Sequence, residues 1–462
     1  MDVYGYASLG AARPQRRRVS MRFVRTTVLV AAIVAAGALS TPANETATPA
    51  RPTFFKDVLP ILQENCQECH RAQGANFSGM VAPMALTSYE EARPWAKSIV
   101  QKTTAKTMPP WFASPEQSGL FELERGLTGD EIAVLTRWAN TGATRGNPEE
   151  APAPKTFAST KGWTYGEPDL ILQMPEPFWI SDDVRDIQPR FSHVLTPEEL
   201  TEDRWIHWME FRPGCKIVHH GGAQVYPLDE NGDVDRNDPI CGGKIIGTAQ
   251  GDGPDYWQEG YGKLVRKGSR ITFGMHYFKE PGPGTGRWDQ STFAIKWQDK
   301  PVTHVVRSAG ISSRGWEIPP FNSAWEVGAA HTFTEDVVLM NLMPHMHFRG
   351  KGAKYTAVYP DGNRETLLHV PNYDFAWQQT YTYKQPKRLP AGTRVEVSMW
   401  FDNSADNAWV HDPERAVGWG SMTLDEMNIG WTEYANAEPI DDIMSHDFGP
   451  DSPGLLDQDS GE

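Results

Sequence analysis

The stretch Leu342-Met-Pro-His-Met-His-Phe-Arg-Gly-Lys-Gly352 decides how most of this chain is read. The apolar run Val337–Leu342 ahead of it predicts a β-strand, and on a strand residues two apart project to the same face. His345 and His347 can therefore reach one metal ion. An adjacent pair, His219-His220, is followed by Gly221-Gly222. Neighbours on a regular strand face opposite ways, so joint ligation there requires a twist or bulge, which the glycines would allow. His276 lies in Ile271-Thr-Phe-Gly-Met-His-Tyr-Phe278, with Ile271, Phe273, Met275 and Tyr277 on the other parity. Each short pattern alone occurs as often in structural histidines; their number and order carry the reading. His193, His207, His304, His331, His369, His411 and His446 read as structural or surface residues.

A chain of 462 residues exceeds what one core serves and implies several domains. The net charge of -15 argues against nucleic acid, which needs a basic surface. At the N-terminus, Arg16-Arg17-Arg18, Met21-Arg22 and Arg25 precede the apolar run Val28–Leu39 and then Pro42-Ala43. This order predicts a signal peptide over residues 1–43 and a periplasmic or otherwise exported protein, membrane-bound only if the segment stays uncleaved. In an oxidising compartment Cys215 and Cys241 would most simply form a disulfide.

Residues 51–147 predict an all-α domain. Phe54–Leu62 and Glu90–Val100 have helical spacing, and Thr128-Gly-Asp-Glu131 is a capping box for a helix over Ile132–Asn140. Within it, Cys66-Gln-Glu-Cys69-His70 has the spacing of covalent c-type heme attachment, with His70 as the proximal ligand. A thioredoxin-like pair would need a βαβ setting. Met80, Met84 and Met108 are the thioether candidates for the sixth ligand. The region resembles bacterial class I-type cytochrome c domains with a late Met-Pro loop, a resemblance that implies Met108, in Thr107-Met-Pro-Pro-Trp111.

Residues 148–162 read as a stiff polar linker, with Asn147-Pro-Glu-Glu-Ala-Pro-Ala-Pro154 at its start. Beyond it, short alternating runs such as Leu264–Phe278, Phe293–Trp297, Tyr355–Tyr359 and Val395–Trp400 predict strands, with turn signals at Asn231-Gly232 and Asp361-Gly362-Asn363. The expected class is a small all-α cytochrome c domain followed by two all-β, jelly-roll-like sandwich domains, 163–318 and 319–437. The carboxylate-rich stretch 438–462 reads as a disordered tail.

The order His-His, strand His-Tyr, His-x-His and then Thr423-Leu-Asp-Glu-Met427 resembles the copper type II, ascorbate-dependent monooxygenases, the group of peptidylglycine alpha-hydroxylating and dopamine beta-monooxygenase. The resemblance covers residues 163–437. It implies one copper on His219, His220 and His276 that stores and passes an electron. It implies a second on His345, His347 and Met427, where O2 binds and a substrate C–H bond is attacked. A thioether is a soft ligand suited to Cu(I), whereas structural zinc sites favour His, Cys and carboxylate. Asp425 and Glu426 are expected beside the metal as supports.

Two departures matter. Where the peptide hydroxylase has an arginine and a tyrosine for the substrate carboxylate, this chain has Met343 and Trp431. A peptide C-terminus would lose its charged partner, which points to an apolar or aromatic small organic substrate. The fused heme is the other departure, and it implies a one-electron relay fed by an ascorbate-like reductant or another redox protein. The alternatives are a non-catalytic copper-binding electron carrier and a zinc-binding module with a heme sensor.

Overall fold

From residue 170 onward, period-two alternation folds into paired sheets, as in Arg394–Phe401, where every second residue is buried. The computed structural model describes residues 49, 51–72, 82–157, 162–249 and 252–448. The predicted signal segment 1–43, Met80 and the last residues of the tail lie outside these. Among the described residues no helix is long and apolar enough to cross a membrane.

Two β blocks follow one another, and strands dominate the structure. In the first, a six-stranded sheet has Thr292–Trp297 and Arg204–Arg212 at its centre. A five-stranded sheet has Arg270–Phe278 between Val218–Tyr226 and the short strands Asp186–Ile187 and Arg190–Val194. Phe273 of one sheet meets Phe293 of the other at 5.1 Å between ring centroids. The approach is close enough that a Cβ at Gly221 would stand 2.5 Å from the Phe211 ring.

The second block pairs a four-stranded sheet holding Val337–His345 between Ile429–Asn436 and Tyr381–Leu389 with another holding Gly350–Val358 beside Arg394–Phe401. Its core contains Leu339, Tyr355, Val397 and Tyr434. The strand Arg307–Ser312 already pairs with Ile429–Asn436, so the chain crosses between blocks at Val306, ahead of the division expected near Ile318.

The helical segment follows its sequence signals closely. The capping box forms with both reciprocal bonds, Thr128 and Glu131 capping the helix Gly129–Asn140. Phe54, Leu62, Leu135 and Trp138 fill a small core. The segment is less self-contained than its composition predicts. Phe121 is fully buried in the second β core and bridges Tyr383. Its apolar ring joins the nearest large core, a long-range choice that no local pattern encodes.

Two expectations need correction. Residues 438–448 are ordered, because Ile443 and Phe448 dock into the first β core and Arg307 lies over the Phe448 ring at 5.1 Å. Composition flags the carboxylates there and overlooks these apolar anchors. Cys215 and Cys241 are free thiols. Burial pushes Cys215 up to about 11 and Cys241 up to about 12, which keeps both protonated and unreactive.

Candidate metal and heme centres

His276 pairs with His220 across two central strands, but the next pair is Tyr277 with Val218. His219 is therefore the extra residue of a β-bulge. The bulge turns neighbouring imidazoles to one side, as their joint use requires. Ligand atoms of His219, His220 and His276 lie within 4.8 Å of one another. Imidazoles bind zinc at about 2.0–2.1 Å, for example, so slight contraction would close this group on an ion.

Their remaining nitrogens are set for that task. His276 donates from Nε2 to Asp186 at 2.7 Å and has its Nδ1 2.9 Å from His220 Nε2. Both ring nitrogens of His219 are buried without a hydrogen-bond partner, an arrangement costly unless something is bound. The His219 ring stacks on Phe375 at 4.4 Å.

The strand Val337–His345 stops at His345, because the buried Glu426 carboxylate takes over the next backbone donors. It accepts from His347 N at 2.8 Å and from Arg349 N at 2.6 Å. His347 thus lies just past the strand that the sequence predicts for it, yet its ring stays 5.3 Å from that of His345. His345 donates Nδ1–H to Gln378 Oε1 at 2.6 Å, and His347 donates Nδ1–H to the Asp425 carbonyl at 3.1 Å. Both Nε2 atoms are left as acceptors. Glu426 and Asp425 thus hold His347 in place.

Met427 follows Glu426 and is half-buried; two residues on, Ile429 pairs with His345. The buried Arg349 fixes this loop by donating to the Leu424 carbonyl at 3.0 Å. Asp186 fixes it from the other block by accepting from Thr423 N at 2.8 Å. One carboxylate so ties the three-histidine group to the loop that carries Met427.

The two histidine groups meet. The His220 and His345 ring centroids are 6.0 Å apart at 88°. Burial, then the neighbouring imidazoles His276 and His345, lowers His219 to about 3. Burial lowers His345 to about 4 against the Gln378 hydrogen bond, and holds His220 and His347 well below 6.5. Neutral imidazole is the form that binds metal. This donor set fits copper.

Between the blocks a small cavity of about 10 Å3, room for about one water, is lined by Lys244, Asp255, Met343, Thr380, Trp431 and Glu433 among others. Met343 and Trp431 are cross-strand partners. Lys244 Nζ lies 4.9 Å from the Trp431 ring. Glu433 is bound by Lys263 and Asn341.

Cys66 caps the helix Leu59–Asn65, and His70 N returns to the Cys66 carbonyl at 2.9 Å. Burial, then Cys69, pushes the Cys66 thiol up to about 12, and burial also raises Cys69. Such a place suits neutral thioether sulfurs; a catalytic dithiol needs the opposite shift. His70 faces the Met84 carbonyl with Nδ1 at 3.2 Å, leaving Nε2 for an iron. These residues fit a heme. Met108 is half-buried beyond the helix Ala96–Thr104, with its N–H on the Lys102 carbonyl at 3.3 Å.

Sequence reading missed Asp186, Gln378, Arg349 and Phe375. None belongs to a spacing pattern; each is brought in by tertiary pairing alone.

No family model matches the chain, and no curated protein does. Among solved structures, it is similar to PNGF-II at 9% identity and a TM-score of 0.27, covering 60% of this chain and 66% of that one. A putative secreted protein from Eubacterium rectale follows at 9% identity and 0.18, covering 55% and 70%. A Paenibacillus xanthan lyase gives 9% and 0.17, covering 64% of this chain and 28% of its own. The chain thus spans less than two thirds of PNGF-II and less than a third of the lyase. Likeness at these scores carries no argument.

Proposed function

We propose that the chain is a copper-dependent monooxygenase that hydroxylates a C–H bond of a small organic substrate with O2, with a covalent heme as its electron relay. The carrying observation is the meeting of His219, His220 and His276 with His345 and His347 at one buried junction between the β blocks. In this reading residues 51–147 are the cytochrome c domain and the β blocks are the jelly-roll-like pair. His70 and Met108 hold the heme iron. His219, His220 and His276 hold one copper, and His345, His347 and Met427 the other. Two coppers would supply two electrons and activate O2.

The chain's own residues prepare that chemistry. Asp186, Gln378 and the Asp425 carbonyl fix the tautomers of His276, His345 and His347, so that only the proton shared between His276 Nδ1 and His220 Nε2 must move when metal enters. Phe375 shields His219, and burial excludes water around His219, His276, His345 and His347. The cross-strand pair Met343 and Trp431, with Lys244 Nζ against the Trp431 ring, would give a small organic substrate an apolar surface.

The test is isotopic. Protein carrying two coppers and reduced heme is supplied with ¹⁸O2 and a panel of small aromatic and aliphatic compounds. A product with one labelled oxygen, lost in His345→Ala, supports the reading. Oxygen uptake that ignores every compound and releases only peroxide supports the electron-carrier alternative.

A further inference from the structure

Gln378, Gln379 and Thr380 are consecutive, and each holds a different part of the molecule. Gln378 Oε1 accepts from His345 Nδ1 at 2.6 Å, with its amide nitrogen turned to the Phe375 carbonyl at 3.4 Å. Gln379 Nε2 donates to the Pro110 carbonyl at 2.7 Å. Thr380 donates from its backbone N at 2.7 Å and from Oγ1 at 3.3 Å to Asp252. Both glutamines are buried, at 1% and 4% exposure, so these bonds are shielded from competing water.

Pro110 is two residues from Met108. The intervening backbone is short, and the next residue, Trp111, packs edge-on against Tyr381 at 5.1 Å. The loop that offers Met108 is thereby fixed to the segment that orients His345. The hydrogen bonds of His220 and His276 run elsewhere, to each other, to Asp186 and to Thr423. Arg125 lies in the electrostatic field of both Cys69 and Asp252.

We propose that Gln378 and Gln379 bridge the Met108 loop to His345, so that an electron from the heme first reaches the copper held by His345, His347 and Met427. This rests on the heme-and-copper reading above. The step moves one electron and no proton: Fe(II) becomes Fe(III) and Cu(II) becomes Cu(I). The amides of Gln378 and Gln379 keep their protons throughout. The three-histidine copper then refills across the His345–His220 contact of 6.0 Å. Gln378 and Gln379 are positioning residues in this scheme, acting through His345 and Pro110.

The experiment compares holoprotein variants in which heme is reduced by a flash while copper is Cu(II), and heme oxidation is followed optically. Heme spectra and copper counts are taken first on the same samples. In His219→Ala/His220→Ala, which keeps one copper, heme oxidation should proceed within about twofold of the parent, since its acceptor remains. In His345→Ala/His347→Ala it should be lost. Gln379→Leu should slow it by about tenfold at full copper occupancy, the lower range for loss of a supporting partner. Fast oxidation in His345→Ala/His347→Ala with loss in His219→Ala/His220→Ala would overturn the proposal even if Gln379→Leu failed to fold. A parent chain without heme or without copper would refute the underlying reading, and the proposal with it.

Discussion

Asp186 and His276, 90 residues apart, meet at 2.7 Å, and the second oxygen of the same carboxylate holds Thr423 N at 2.8 Å. Burial opposes its charge, but the His276 hydrogen bond keeps Asp186 ionised below its usual range. Asp186 is thus shared between the three-histidine group and the Met427 loop.

Asp186→Asn retains the shape but sets an amide against Thr423 N or His276. It should weaken copper at His219, His220 and His276 by about 10- to 100-fold, the usual effect of losing an orienting partner. Competitive Cu(I) titration checks this, and the second copper should stay bound.

Glu426→Gln probes the clamp under His347. Each carboxylate oxygen accepts one backbone N–H, from His347 and Arg349, so an amide must oppose one of them. Stability should fall by about 1–3 kcal/mol, the cost of a buried unsatisfied donor. Chemical denaturation of the copper-free chain measures it.

How much of this was legible beforehand divides along the range of the interactions. The Thr128–Glu131 box and the alternation in Arg394–Phe401 are local, and they took the forms their spacing implies. The need for a bulge at His219-His220 was also legible, because adjacent side chains on a strand diverge; its place in the pairing was not. Asp186, Gln378 and the insertion of Phe121 into the second β core were hidden. They depend on which strands become neighbours, and single residues without periodicity do not announce that. Charge misled at 438–448, where a few apolar anchors outweigh many carboxylates.

Acid should destabilise the copper-free chain. Burial keeps His219 near 3 and His345 near 4, while in the unfolded chain each titrates near 6.5. Below about 6.5 the unfolded state binds more protons than the folded one, so stability is lost as pH falls toward about 4 and fully present above 6.5. Thermal melts of copper-free protein across this range check the sign, and His345→Gln should flatten the slope.

Thiol chemistry separates the two cysteine pairs. Unfolded but unreduced holoprotein should label at Cys215 and Cys241 only, since both are free and Cys66 and Cys69 would be thioethers. Mass mapping of the labelled peptides reads this. Label on Cys66 and Cys69 would contradict heme attachment, and none on Cys215 and Cys241 would restore the disulfide.

The most direct measurement is copper X-ray absorption on the fully reduced protein, with metal content determined on the same sample. Two coppers per chain should be found, with imidazole nitrogen throughout and one sulfur neighbour at half of the copper. Met427→Ala should remove the sulfur and leave the nitrogen shells. Zinc in place of copper, or a copper signal without sulfur that Met427→Ala leaves unchanged, would contradict the account.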